Sequence, residues 1–180
     1  SDLTEQLSLS LIKNKQKNNK PKENNINLKI VKDITNLEIT EDVAVYLDID
    51  KENYHKAEIL GIALYNKNSS LYIPKDYIKN LNFIKGNIHT YDYKKTYVSL
   101  KKHNINIKEP TMDVMVACYL LNYNVKDDIA YIANDLGYEI EFQNKKETLT
   151  IEELAKRSIK KAKFIYEITD KLKQDIEKEN

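Results

Sequence analysis

The stretch that decides the fold is Val43-Ala44-Val45-Tyr46-Leu47-Asp48-Ile49-Asp50. Apolar side chains fill nearly every position until the run ends in carboxylates, which is typical of a strand buried on both faces. Other short apolar runs are bounded by turn residues and also predict strands: 28–31, 59–65, 70–74 and 87–91. The segment 66–69 separates two of these runs and indicates a hairpin turn. The first half of the chain therefore predicts a sheet.

The second half of the chain has the spacing of helices. Apolar residues recur at helical intervals in four segments: 94–103, 113–121, 127–136 and 150–177. The segment 113–121 is apolar nearly all round, so we expect it to be buried. Asp127 is a candidate N-cap for the third helix, Gly137 follows its end, and a brief helix is expected around 77–81. Together these elements predict an α/β domain with a mixed sheet flanked by helices.

The segment 150–177 predicts a long amphipathic C-terminal helix, about 40 Å long at 1.5 Å per residue. Its apolar residues form one stripe: Ile151, Leu154, Ile159, Ala162, Ile165, Ile168, Leu172 and Ile176. We expect the lysines of this helix to fill most of the remaining, solvated surface: Lys160, Lys161, Lys163, Lys171 and Lys173. Because ordinary strands are only about 17–20 Å long, we expect the stripe from about Ile168 onward to lack full cover within the domain.

Composition excludes several classes of protein. Cys118 is the single cysteine, which excludes an internal disulfide framework and a cysteine-based zinc site. The net charge is +1 and Arg157 is the single arginine, so no overall basic field attracts nucleic acid. No apolar run reaches the ~18 residues that a membrane span needs. We expect a cytoplasmic protein with no membrane association and no metal or cofactor of its own.

Residues 1–27 have a different composition from the rest of the chain. The stretch 13–27 is rich in lysine and asparagine and contains a single apolar side chain, Ile26. Such a segment cannot bury enough apolar surface to offset the entropy of ordering it. We therefore predict a flexible linker from an upstream module over residues 1–27 and a folded domain over residues 28–180.

Three separated blocks carry a resemblance to a known family. These blocks are Glu52–Leu64, Tyr91–Thr96 and Asp113–Asn122, and the last is followed by Asp128-Ile129-Ala130. In order and spacing they resemble the 3′–5′ exonuclease-like domain of bacterial DNA polymerase I, and more narrowly the branch whose exonuclease site is degenerate. The resemblance implies a ribonuclease-H-like fold. It also implies that the chain is a fragment of a larger polymerase, placed between a 5′-nuclease module and the polymerase module.

The resemblance also locates the positions of the family's metal ligands. Active members hold two divalent metals with four carboxylates, since hard Mg²⁺ prefers anionic oxygen ligands. The Asp-x-Glu motif falls on Tyr46 and Asp48, although a slipped register would use Asp48 and Asp50 instead. The aspartate of the second motif falls on Thr96, and that of the third motif falls on Ile159. The vestigial site would therefore consist of Tyr46, Asp48, Thr96 and Ile159, with no catalytic residue and no bound metal.

Two further features of the motifs bear on this interpretation. Asp92 takes the asparagine position of the second motif, where we expect it to cap a helix. A literal Tyr-x-x-x-Asp match occurs at Tyr166–Asp170, but it lies about three turns too far along the last helix. We expect Tyr166 to pack in the interior and Asp170 to be a surface charge.

The sequence thus favours a catalytically inactive domain that acts as a scaffold for a DNA-directed DNA polymerase module in DNA replication and repair. The parent nucleotidyltransferase would require Mg²⁺ and would bind DNA, while this domain alone would bind DNA weakly or not at all. Two alternatives stay open. One is an active two-metal proofreading exonuclease, using Asp48, Asp50, Asp92 and Asp170. The other is a weak single-stranded DNA-binding module that uses the lysine-rich linker with Lys101 and Lys102.

Overall fold

The structure, a computed structural model, describes residues 26–51, 53–143 and 148–179. The predicted linker therefore lies outside the described residues, except for Ile26 and Asn27. Within the described part, the strands are β1 (Lys29–Ile30), β2 (Val43–Ile49), β3 (Ile59–Tyr65), β4 (Ser70–Pro74), β5 (Ile88–Thr90) and β6 (Met112–Asp113). A single 3₁₀ turn at Lys75–Tyr77 replaces the helix expected around 77–81.

The strands form one mixed sheet in the order β1-β4-β3-β2-β5-β6. Strands β2, β3 and β4 pair antiparallel, as the two turns between them require. Strands β5 and β6 extend the sheet in parallel beside β2, and β1 pairs in parallel with β4. The predicted mixed sheet is confirmed, and β6 is a short edge strand that the sequence pattern did not indicate.

Four α-helices lie in the described residues: α1 (Tyr93–Lys101), α2 (Val114–Leu120), α3 (Ala130–Asp135) and α4 (Ile151–Lys178). Thr150 and Glu153 form a capping box at the start of α4, which fixes its first turn. The expected cap at Asp127 is wrong, because the neighbouring Asp128 accepts the Ala130 N–H at 2.9 Å. Gly137 follows α3 with φ of 90°, a conformation that glycine adopts without strain.

The sheet separates two apolar clusters. Alternate residues of β2 point to opposite faces, so Val43, Val45 and Leu47 join one cluster and Ala44 and Tyr46 join the other. The first cluster also contains Leu100 of α1, whereas the second contains the buried face of α4 together with α2 and α3. Asp48 has the same parity as Ala44 and Tyr46, and this places its carboxyl on the α4 side of the sheet.

The C-terminal part of α4 is better covered than the sequence predicted. Ile168 and Leu172 are 5% and 0% exposed, and Ile176 is half-buried. The expectation that the stripe lacks full cover from Ile168 onward is wrong for Ile168 and Leu172, because α2 and the segment after it pack on this part of α4. Across the described ranges, α4 included, none of the helices is both long enough and apolar enough to span a membrane.

Helix α2 is less buried than its composition predicted. Val114, Ala117 and Cys118 face the core, but Val116, Tyr119 and Leu120 are exposed. The helix has only two turns and lies at the outside of the helical layer, so its packing against α4 covers one side alone. The expectation of a helix buried all round is therefore wrong.

Candidate functional site

Asp48 lies at the end of β2, where it is only 7% exposed. Its Oδ2 atom accepts a long hydrogen bond of 3.4 Å from the hydroxyl of Tyr72, a fully buried residue on β4. Burial, followed by the nearby charge of Asp48, raises the pKa of the Tyr72 hydroxyl. The hydroxyl is therefore protonated at neutral pH and can donate to the carboxylate.

Gly61 makes this contact between distant strands possible. It is the partner of Asp48 in the β2–β3 ladder, and β3 lies between the strands that carry Asp48 and Tyr72. A Cβ atom on Gly61 would collide with the ring and the hydroxyl oxygen of Tyr72. The absence of a side chain at position 61 thus lets Tyr72 cross β3 and reach Asp48.

We expect Gly61→Ala to destabilise the domain by about 1–3 kcal/mol, because Tyr72 is enclosed and cannot move without disturbing its neighbours. Thermal unfolding of the purified chain measures this loss. In a Tyr72→Phe background the same substitution should cost less, since part of the collision involves the hydroxyl. An unfolding temperature that is unchanged by Gly61→Ala would show that Tyr72 does not occupy this position.

Lys161 of α4 is the second charged group at the site. Its side chain is buried, with 6% exposure, and its Nζ atom lies 5.0 Å from the centroid of the Tyr46 ring. An ammonium at this distance over an aromatic face is stabilised by a cation–π interaction. Ser158, three residues earlier on the same face of α4, lines the site with Lys161 and Asp48.

Lys161 and Asp48 each shift the pKa of the other through their opposite charges. Burial raises the pKa of the Asp48 carboxyl, and the positive charge of Lys161 is the main opposing influence. Burial lowers the pKa of Lys161, but Tyr46, Asp48 and Asp128 outweigh this effect and leave the pKa above its ordinary value. Lys161 is therefore an ammonium at neutral pH and provides the counter-charge for Asp48.

Thr96 lies in the second turn of α1 and is 3% exposed. Its hydroxyl donates to the carbonyl oxygen of Asp92 at 3.0 Å, so this hydroxyl is already hydrogen-bonded to the backbone at the start of the helix. Asp92 has φ of 62° and accepts the Lys95 N–H at 3.2 Å, which confirms the predicted cap. Asp113 accepts N–H groups from Asp92 and Tyr93 at 2.9 and 2.7 Å, and this fixes the start of α1 beside β6.

Ile159 does not face Asp48 but is buried in the apolar cluster between the sheet and the helices, with 2% exposure. The α4 residues that line the site are Ser158 and Lys161. Sequence reasoning missed Lys161 because it assigned this residue to the solvated surface. A signal was present, since Lys161 is spaced seven residues after Leu154 and four before Ile165, which is the spacing of a buried helical face.

The four carboxylates of the alternative two-metal site do not come together. Asp50 lines the same cleft as Asp48, and its Oδ1 atom accepts the Glu58 N–H at 2.9 Å. Asp92 caps α1, and Asp170 lies nine residues beyond Lys161, about 13 Å along α4 at 1.5 Å per residue. Within residues 26–51, 53–143 and 148–179, no three His, Cys, Asp or Glu side chains could hold a metal ion.

The literal Tyr-x-x-x-Asp match lies at the opposite end of the sheet. The Tyr166 ring packs edge-on against Tyr65 at 5.6 Å and lies 6.5 Å from His89 on β5. Asp170 is exposed. Tyr166 thus packs between elements and Asp170 is a surface charge, as the sequence predicted.

Comparison with known proteins identifies the family. The family model described as DNA polymerase I, ribonuclease H-like domain, matches residues 45–168. The chain belongs to this family. DNA polymerase I of Bacillus subtilis is 30% identical over 123 residues, an alignment that covers 64% of this chain and 14% of the relative. The chain thus spans only a small part of the curated relatives that it matches.

Solved structures show that the fold is shared more widely than the sequence. Brucella melitensis NrnC superposes with a TM-score of 0.61 at 13% identity, covering 84% of this chain and 81% of that one. The POL domain of Pol1 from M. smegmatis, in complex with DNA primer-template and dNTP, gives a TM-score of 0.54 at 15% identity. That match covers 76% of this chain and 24% of the other. These likenesses confirm the predicted ribonuclease-H-like fold with its long C-terminal helix.

The site of this family member does not suit the pair of divalent metals that the family resemblance implies. Tyr46 presents an aromatic ring, and the Thr96 hydroxyl is a neutral oxygen that is hydrogen-bonded to the helix backbone. Lys161 adds a positive charge beside Asp48, the carboxylate at the Asp-x-Glu motif. Hard cations need several anionic oxygens, and among Tyr46, Asp48, Thr96 and Ile159 only Asp48 offers one, beside the ammonium of Lys161.

A cleft of about 650 Å³ nevertheless persists beside Asp48. Its wall is held by contacts between distant segments: Arg157 pairs with Glu141 at 2.7 Å, and Gln143 Nε2 donates to the carbonyl of Ile49 at 2.9 Å. The cleft therefore has a wall fixed by contacts between segments that are distant in the sequence.

Lys101 and Lys102, which we considered as DNA contacts, donate hydrogen bonds to other residues of the protein. Lys102 Nζ donates to the carbonyl oxygens of Tyr54 and His55 at 2.6 and 2.8 Å, which ties the loop after β2 to α1. Lys101 Nζ donates to Asn106 at 3.3 Å. These contacts give both lysines a structural role and weaken the case for a DNA-binding module built on them.

Proposed function

We propose that this chain is the exonuclease-like domain of a DNA polymerase I that has no nuclease activity and supports the polymerase module. The observation that carries the proposal is the buried ammonium of Lys161 beside Asp48 and over the Tyr46 ring. The parent protein would be a cytoplasmic DNA-directed DNA polymerase that acts in replication and repair and requires Mg²⁺. This domain would contribute no cofactor and no catalytic residue.

The charge of Lys161 supports the proposed absence of metal binding. A divalent cation about 5 Å from an ammonium is repelled by about 7 kcal/mol at an effective dielectric constant of 20. This repulsion offsets a large part of the attraction that one carboxylate, Asp48, would give a bound cation. The ammonium also supplies Asp48 with a counter-charge without the cost of dehydrating Mg²⁺, which holds its waters tightly. Asp48 therefore gains nothing by exchanging Lys161 for a metal.

The scaffold role rests on the family and on the persistence of the fold. The matched relatives are polymerases many times longer than this domain, which covers 14% of the B. subtilis enzyme. The two apolar clusters are complete without acidic side chains at three of the four motif positions, because Tyr46 and Ile159 pack in one cluster and Thr96 is buried. A domain with two complete apolar clusters keeps its fold and so offers a stable surface on which other modules can pack.

The test is a nuclease assay on the purified chain. With 3′-labelled single-stranded DNA and Mn²⁺, nucleotide release should not exceed buffer controls, and Mn²⁺ titration by calorimetry should show no binding at millimolar metal. Brucella melitensis NrnC, whose structure has been solved with bound Mg²⁺, serves as the positive control for metal binding. Chelator-sensitive release that Asp48→Ala abolishes would overturn the proposal.

A further inference from the structure

The outer face of α2 is an apolar surface that the fold leaves uncovered. It consists of Val116, Tyr119 and Leu120, which are 47%, 57% and 62% exposed. Their spacing of three and four residues places all three side chains on one side of the helix. The segment 114–125 contains no charged residue, in a chain where charged residues make up 32%.

We infer that the outer face of α2 is the surface on which the polymerase module of the same protein docks. The inference deepens the proposed scaffold function, on which it rests. The composition of the face fits a partner surface, because the centres of protein interfaces are enriched in tyrosine and apolar residues and depleted of lysine and glutamate. Most of the remaining exposed surface of this domain carries lysine, glutamate and asparagine side chains.

The small size of the face selects a partner on the same chain. Helix α2 is about 10 Å long, so its three exposed side chains provide far less than the about 800 Å² per partner that stable association of separate proteins requires. A covalently joined module has an effective concentration in the millimolar range, at which a small apolar contact is sufficient. A second copy of the chain lacks this advantage and would need a larger surface.

The position of the face in the fold agrees with such a partner. Helix α2 packs against α4, and Leu172, next to Lys171 in the last third of α4, shares an apolar cluster with Ala117 and Cys118 of α2. Lys171 lies only about 10 Å from the end of α4 at Lys178. Any continuation of the chain beyond α4 would therefore leave the domain close to α2, within reach of its outer face.

Cysteine labelling in the intact polymerase tests the inference. Leu120→Cys introduces an exposed thiol, whereas the native Cys118 is fully buried and its pKa is raised by burial to about 11. We expect a maleimide to label position 120 at least tenfold more slowly in the full-length protein than in the isolated domain, as read by peptide mass spectrometry. Tyr97→Cys on α1, exposed at 41%, is the matched control and should label at the same rate in both.

Equal labelling of position 120 in both proteins would overturn the inference. Slow labelling in the isolated domain that speeds up on dilution would also overturn it, and would assign the face to a second copy of the chain. Neither result depends on metal binding or nuclease activity. Failure of this inference is therefore distinguishable from failure of the proposed loss of catalysis.

Discussion

Leu172→Asp is expected to destabilise the isolated domain by on the order of 5 kcal/mol, a large part of the about 5–15 kcal/mol that stabilises an ordinary domain. The Leu172 side chain is 0% exposed and lies in the cluster that joins α4 to α2 and the sheet. The substitution removes a buried apolar side chain and places a carboxylate where no cation is available to pair with it. Thermal unfolding should show a midpoint lower by roughly 10–20 °C.

Two further substitutions in α4 separate the effect of losing a buried side chain from the effect of adding a negative charge. Gln174→Asp adds the same charge at an exposed position of α4 and should leave the unfolding midpoint nearly unchanged. Ile176→Asp, at a half-buried position, should cost about 1 kcal/mol. If Leu172→Asp instead melted like the wild type, the end of α4 would not pack on α2, and the uncovered stripe that the sequence predicted would be correct.

Lys161→Met is expected to cost about 3–5 kcal/mol, because it leaves the Asp48 carboxylate buried without its counter-charge. The loss should depend on pH. Burial already raises the pKa of Asp48 in the folded state above its ordinary value, and removing Lys161 raises it further. Above a pH of about 3.9 the Asp48 carboxyl ionises in the unfolded chain, whereas its raised pKa keeps it protonated in the folded state. Each rise in pH across this interval therefore favours the unfolded state. The destabilisation should therefore be small near pH 4 and largest at neutral pH and above.

Denaturant unfolding of matched variants checks this result. Lys160→Met changes the exposed lysine that directly precedes Lys161, and it should have little effect on the free energy of unfolding at any pH. Adding Asp48→Asn to Lys161→Met should restore most of the stability at neutral pH, because the amide needs no counter-charge and can still accept from Tyr72. A double variant as unstable as Lys161→Met would show that the lysine acts through packing and not through charge.

The sequence predicted the sheet more accurately than the site. Strands β3 and β4 have the predicted bounds, because clear turn residues flank short runs of β-branched and apolar side chains. Asp92 was recognised as a cap because its role depends on residues within one turn. These features depend on local sequence, so a single sequence is sufficient to find them.

The burial of Lys161 and the exposure of Leu120 could not be obtained in the same way. A lysine on a helix is normally solvated, and its burial here depends on Tyr46 and Asp48, which lie more than 110 positions earlier in the chain. Leu120 is apolar, but its exposure depends on the length of α2 and on which helix packs beside it. Both properties follow from tertiary contacts, to which periodicity and composition are insensitive.

The Asp113 carboxylate has a mechanical consequence. Its oxygens accept the first N–H groups of α1 and also the Met115 N–H of α2, so that two helices begin at one side chain. Helix α1 carries Thr96 and leads directly into Lys102, which holds the loop beside the cleft, while α2 carries the exposed apolar face. A displacement of α2 is transmitted through the Asp113 carboxylate to the start of α1, because the hydrogen bonds that join them span only a few ångströms. The two regions should therefore move together, and the cleft beside Asp48 should remain rigidly connected to whatever lies against α2.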